Sequence, residues 1–283
     1  MKQPHVNSAQ YMEESIESAF WQEYAEADNP FAATKCRCAG YDVYGDLLDK
    51  VNWIEYLYLL FHTEAPTAQQ VKLLNGLAVA IANPGPRDYS VHAAMAAGAG
   101  GSTLASALMA ALAVGAGNLG GARDVYQALL VWERCGSDFS QWLPVLRHWQ
   151  EQQQALPVST WPAPEHPPGF DPNGVSCPAP VRQTLTYLAD NTIAERLLWL
   201  RENRYQLEAE AGLPLAFSGV AAAAFADLGC SPQQAEMLYL LLRLPGAAAH
   251  ALEQLQLGPK SFPFYRHGID LNNDPGPAGG EAR

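Results

Sequence analysis

The sequence predicts an all-α protein with minor strands, and three observations carry that prediction. Apolar residues recur at helical spacing behind recognisable N-terminal caps, no repeated alternating apolar segments of the sheet-building kind are present, and a long charge-free stretch is rich in Ala, Gly and Ser. At 283 residues the chain can bury a large core without disulfide or metal staples.

From the N-terminus, residues 9–26 read as helix-capable and acidic, and Asn29-Pro30 marks a break. Residues 36–46 read as a short irregular or extended piece. On a strand, Cys36 and Cys38 would present both thiols to one face. Trp53, Leu57, Leu60 and Phe61 have the spacing of one buried helical face, as do Val125, Leu129, Leu130 and Trp132. Thr67-Ala68-Gln69-Gln70 and Ser231-Pro232-Gln233-Gln234 are capping boxes, the second with Pro at the first helical position.

Residues 89–122 contain no Asp, Glu, Lys or Arg. Small residues gain little on transfer to lipid but let helix backbones approach closely, so the stretch reads as buried helices at the centre of the protein. Eight prolines between Pro157 and Pro180 forbid a helix and predict an extended loop. The Pro- and Gly-rich residues 272–283 are expected to be disordered.

Composition excludes several function classes. The formal charge of −12 argues against nucleic acid or an anionic membrane as partner, and no run of Lys or Arg is present. Any anion site must be local, built from a few arginines. Five scattered cysteines without a CxxC pair suggest neither a disulfide framework nor a metal site, and fit a reducing cytoplasm. The polar first ten residues lack the apolar core of a signal peptide.

Four local patterns go further. Gly40-Tyr41-Asp42 with Asp46-Leu47-Leu48, Glu55-x-Leu57-Tyr58-Leu59-Leu60 and Ala65-Pro66-Thr67 form the first. Ala82-Asn83-Pro84-Gly85-Pro86 with His92, Gly101-Ser102 and Gly120-Gly121-Ala122 form the second. Arg243-x-x-Gly246-x-x-x-His250-x-x-Glu253-Gln254 is the third and most specific. Phe264-Tyr265-Arg266-His267 followed by Ile269-Asp270 is the fourth. In this order, across roughly residues 36–271, they resemble the citrate synthase family, most closely the citryl-CoA lyase module of ATP-citrate lyases.

The resemblance implies a homodimer of a large helical domain (residues 1–122 and 233–283) with an inserted small helical domain (residues 123–232), and an active site in the cleft between them. It implies carbon–carbon bond formation or cleavage between an acyl-CoA and a keto acid, with a coenzyme A thioester as co-substrate and no bound cofactor or metal. A di- or tricarboxylate such as oxaloacetate or citrate would be held by Arg243, with Arg266 reaching across the dimer. His92, His250 and His267 match further family positions. His92 and His250 also suit structural roles as hydrogen-bonded histidines on apolar helix faces.

Such chemistry needs a carboxylate to take a proton alpha to the thioester, histidines to hydrogen-bond the enolate and keto oxygens, and arginines for the diacid. The arginines are present. Pro84 stands where the family has a histidine, Leu119 where citrate synthases have another, and Leu215 in the segment that supplies the base. Gly169-Phe170-Asp171-Pro172 represents a histidine-bearing loop without its histidine. His166 and Asp171 lie near enough in sequence to replace a lost catalyst, although His166 reads first as an exposed loop residue. Asp171-Pro172-Asn173 lacks the arginine expected near coenzyme A phosphates, a role that Arg182 could take.

Two readings therefore stand. One is an active acyltransferase or lyase. The other is a catalytically degenerate member that binds a di- or tricarboxylate or serves as the partner subunit of an active paralogue. Altered chemistry using His166, Asp171 or Cys177 is a third.

Overall fold

The computed structural model describes residues 15–155 and 166–262. A small antiparallel sheet opens the fold: β1 (Ser15–Glu17), β2 (Trp21–Ala25), β3 (Ala33–Cys38) and β4 (Tyr41–Asp42) pair in sequence order. The helix expected over residues 9–26 is thus replaced, over its described part, by two strands. Trp21 pairs with Cys38 and Tyr24 with Lys35, and aromatic residues gain more on a pleated surface than in an isolated helix. Cys36 and Cys38 do share the buried face of β3.

Ten α-helices follow among the described residues: α1 (Trp53–His62), α2 (Ala68–Ile81), α3 (Tyr89–Ala99), α4 (Leu104–Gly115), α5 (Ala122–Cys135), α6 (Phe139–Ala155), α7 (Ala179–Asp190), α8 (Glu195–Ala211), α9 (Phe217–Asp227) and α10 (Pro232–Leu257). Both sequence-derived capping boxes form. Thr67 accepts from the Gln70 N–H at 3.3 Å while Gln70 accepts from the Thr67 N–H at 2.9 Å. Ser231 and Gln234 repeat the exchange at 3.3 and 2.7 Å.

The buried centre is α9, which packs against α2, α5, α7, α8 and α10. Every residue from Ser218 to Phe225 is buried, because a helix of small side chains fits between five neighbours without widening the gaps. The Ala/Gly-rich helices α3 and α4 instead lie to one side against α10, around a separate small core of Val91, Met95, Ala107 and Ala247. Leu104, Met109 and Val114 of α4 face solvent at 48, 61 and 44 %. The central position expected for this stretch is therefore held by α9. Trp53 and Leu130 are likewise exposed rather than buried. Trp53 occupies the first helical position, and Leu130 falls outside the stripe of Val125, Leu129 and Trp132.

Past residue 165 the proline-rich segment runs as a non-helical loop to Pro178, as expected, and α7 starts at Ala179. Residues 272–283 lie outside the described residues.

Pro245 interrupts the α10 hydrogen-bond ladder, and the Gly246 N–H donates instead to the Ala82 carbonyl at 2.8 Å. A Cβ on Gly246 would stand 2.4 Å from that oxygen and 2.6 Å from the Asn83 Cα. Overpacking of this kind costs roughly 3 kcal/mol and the gain in helix propensity returns only about 1. Gly246→Ala should therefore lose about 2 kcal/mol in urea denaturation, and an unchanged midpoint would contradict this close approach.

Candidate functional site

A cavity of about 230 Å³ opens where the end of α2, the start of α3, the 169–173 loop and the N-termini of α7 and α9 meet α10. Ile81, Phe170, Val181 and Phe217 give it largely apolar walls, and Arg87, Asp88, Asp171 and Arg243 supply its charges.

Arg243 is 6 % exposed. Its Nη1 donates to the Gly120 carbonyl at 3.2 Å, an oxygen that also accepts from the Tyr239 hydroxyl at 3.2 Å. Gly120 adopts φ +65°, the left-handed region that glycine tolerates. The guanidinium carbon sits 4.7 Å from the Tyr239 ring centroid, a cation–π contact in a dry setting. Nη2 is ion-paired with Asp88, and Nε has no hydrogen-bond partner. Glu253, ten residues further along α10, approaches His250 instead. Asp88 caps α3: its Oδ1 accepts from the Ser90 N–H at 3.0 Å while Oδ2 takes the Arg243 charge. One carboxylate thus ends a helix and neutralises a buried cation. Burial pushes the Tyr239 phenol up, which keeps it neutral, with the Arg243 charge pulling the other way.

A second polar group lies behind the cavity wall. Asp124, in the first turn of α5, is 1 % exposed. Its Oδ1 accepts from the Gly169 N–H at 3.0 Å and its Oδ2 has no hydrogen-bond partner. Burial pushes its carboxyl up to about 6, opposed by the Ser218 hydroxyl, the Gly169 N–H and His166. Ser218 stands near enough to pull the carboxyl down, yet its Oγ makes no hydrogen bond of ordinary geometry. His166 is 2 % exposed rather than an exposed loop residue, because the 166–170 segment folds inward onto α5 and α9. Its Nδ1 lies 3.1 Å from the Pro167 carbonyl. A carbonyl can only accept, so Nδ1 donates in that contact.

The loop is held to α9 by backbone. Ala216 N–H donates to the Gly169 carbonyl at 2.9 Å, and Asp171 N–H to the Pro214 carbonyl at 2.8 Å. A Cβ on Gly169 would come within 2.8 Å of the Gly219 Cα, so glycine on both sides permits the contact.

The sequence-derived positions divide. Pro84, Leu119, Asp171 and Arg243 line one cavity. Leu215 is buried at 2 % and bridges to Phe170 beneath the wall; neither it nor His166 lines the cavity. His92 packs on Phe262 with ring centroids 5.5 Å apart. His250 Nε2 lies 3.1 Å from Asn83 Oδ1, and its Nδ1 3.3 Å from Glu253, a structural setting away from the cavity. Arg182 sits in a shallower hollow with Arg204 and Glu208, hydrogen-bonded to the Cys177 carbonyl. Cys177 is buried and its thiol is pushed up by that burial, which suits a packing role rather than a nucleophile. Arg266 and His267 lie outside the described residues.

Sequence reading missed Arg87, Asp88, Asp124 and Ser218. Asp88-Tyr89-Ser90 carries a legible signal, an Asp able to cap the helix it precedes. Nothing in the local sequence marks Asp124 as buried.

The chain matches no protein-family model and no curated protein. Among solved structures its fold is similar to citryl-CoA lyase from Hydrogenobacter thermophilus, with a TM-score of 0.68 at 18 % identity over 95 % of this chain and 96 % of that one. It is also similar to ATP citrate lyase from Methanothrix soehngenii in complex with citrate and coenzyme A, and to a mutant of the Methanosaeta concilii enzyme in complex with (3S)-citryl-CoA. Both give a TM-score of 0.63 at 18 % identity, over 82 % of this chain and 39 % of those chains. At such identity the likeness is one of fold. No helix among the described residues is long and apolar enough to cross a membrane, and none of their side chains group as three metal ligands.

The Asp124 carboxyl gives a pH signature. Its folded-state value, about 6, lies above the ordinary 3.8, so the fold prefers the protonated form. Its stabilising contribution is complete below pH 3.8 and is lost as pH rises through 6. The decline runs between pH 3.8 and about 6. Asp124→Asn keeps an acceptor for the Gly169 N–H and removes the titration. Urea denaturation between pH 4.5 and 8 should give a wild-type curve that declines relative to the variant's, whereas parallel curves would refute the assignment.

Proposed function

We propose that this chain is a catalytically degenerate relative of the citryl-CoA lyases, whose cleft binds a small carboxylate without making or breaking a carbon–carbon bond. The observation that supports this reading most directly is the make-up of the cavity. Among the described residues no histidine lines it, and Pro84 and Leu119 contribute only hydrocarbon where proton transfer would be needed. Asp88 is engaged by Arg243, and Asp171 turns one oxygen to the Asn173 N–H at 2.9 Å. General acid–base groups contribute roughly 10²- to 10⁴-fold each, so several losses together leave little rate. The arginines are the part of the machinery that needs no proton movement, and they persist.

The same proposal takes the chain as a cytoplasmic homodimer with a large domain (residues 1–122 and 233–283) and a small one (residues 123–232). Leu104, Met109 and Val114 stand exposed around α4 and offer apolar side chains to a second copy or to an active paralogue. The runner-up is an active citryl-CoA lyase or citrate synthase, favoured by the likeness of fold over nearly the whole chain.

Two measurements separate these readings. Free thiol release from acetyl-CoA with oxaloacetate, and from citryl-CoA alone, should stay at the uncatalysed rate; turnover well above it would establish the enzyme. Sedimentation should give a dimer that Met109→Lys converts to monomer, and a monomeric wild type would remove the role assigned to α4.

A further inference from the structure

We propose that Asp88 is an internal ligand of Arg243: it seats a carboxylate of the chain's own on the buried guanidinium and so restricts the cleft to ligands with at most one negative charge. The inference rests on the reading that the cleft takes a carboxylate, and it narrows which kind.

The geometry points this way. Arg243 is the buried cation of the cavity, and its side chain has only 7 % exposure, whereas that of Asp88 has 21 %. Asp88 is thus the more accessible member of the pair. Its other oxygen belongs to the α3 cap, held by the Ser90 N–H, so the carboxylate is anchored by the helix it ends. Asp88 presents to Arg243 what a bound acid would present: one carboxylate oxygen on Nη2. The free edge of Arg243 is Nε, buried and without a hydrogen-bond partner. It is closed to a water-sized atom, and a bidentate carboxylate, which needs two adjacent nitrogens, finds no free pair on Arg243.

The charge count agrees. Arg87 and Arg243 face Asp88 and Asp171, so the lining is formally neutral. Bringing a dianion or trianion into a neutral, largely apolar cavity costs desolvation that no excess of positive charge repays. A monocarboxylate with a short apolar body is matched better. Arg87 is exposed, lines the cavity and makes no ion pair among the described residues; it supplies the charge such a ligand needs, while Ile81, Phe170 and Val181 take the hydrocarbon. Asp88 is in this sense a specificity determinant.

The test is removal of the internal carboxylate followed by its replacement from solution. Asp88→Ser keeps a capping oxygen and Asp88→Asn keeps the cap and the shape, since Ser and Asn are both strong N-caps. Each variant should melt below wild type. Acetate or formate should restore part of that loss in the variants and have no comparable effect on wild type. By calorimetry, succinate should bind the Asp88→Ser protein at least tenfold more tightly than wild type, and adding Arg243→Gln should abolish the gain. Butyrate should bind wild type more tightly than succinate does. If succinate binds wild type and both variants alike, and Arg243→Gln alone removes it, the cleft does take carboxylates and Asp88 is not its gatekeeper. If no mono-, di- or tricarboxylate binds wild type or any variant, the carboxylate reading itself falls and this inference falls with it.

Discussion

A guanidinium with only 6 % exposure has to be surrounded by acceptors, and Arg243 draws them from two segments far apart in sequence. From α10 it reaches the Gly120 carbonyl in the turn before α5 and the Asp88 carboxylate at the head of α3. That demand fixes how three helices meet, because each acceptor sits at a helix end rather than along a side. The left-handed Gly120 turns its carbonyl toward the cation, and the same oxygen anchors Tyr239 one turn earlier on α10. Close backbone approach completes the junction: the Gly246 N–H bonds to Ala82 where Pro245 has opened the α10 ladder. The cavity is what remains between these fixed ends and the 169–173 loop.

The loop wall follows a different logic. Gly169 and Gly219 touch at backbone distance, and the buried Asp124 carboxylate secures the loop by the Gly169 amide. Beside it, Asp124 Oδ2, Ser218 Oγ and His166 Nε2 are buried polar atoms without hydrogen-bond partners, a cost that a purely structural interior would avoid. The wall therefore depends on a carboxyl group whose proton affinity has been raised by the very burial that lets it hold the loop.

These two constraints separate the frame of the fold from its cleft. Packing and backbone contacts carry the architecture, whereas Pro84 and Leu119 line the cavity. Leu215 belongs to the core and bridges to Phe170 beneath the wall. Function in such a fold resides in the cleft and not in the frame.

The sequence by itself determined the mainly helical class, the two capping boxes at Thr67 and Ser231, the shared face of Cys36 and Cys38, and the company of Pro84, Leu119, Asp171 and Arg243 in one region. Each is a matter of local spacing or of a motif whose order along the chain survives. Only the tertiary structure decided that residues 15–25 are strands, that α9 rather than α3 and α4 forms the buried centre, and that His166 points inward. It also chose Asp88, from across the fold, as the partner of Arg243. Strand pairing, burial and charge partners are set by which distant segments meet, and a one-dimensional pattern records the propensity of Asp88 to cap a helix but not the cation that waits beyond it.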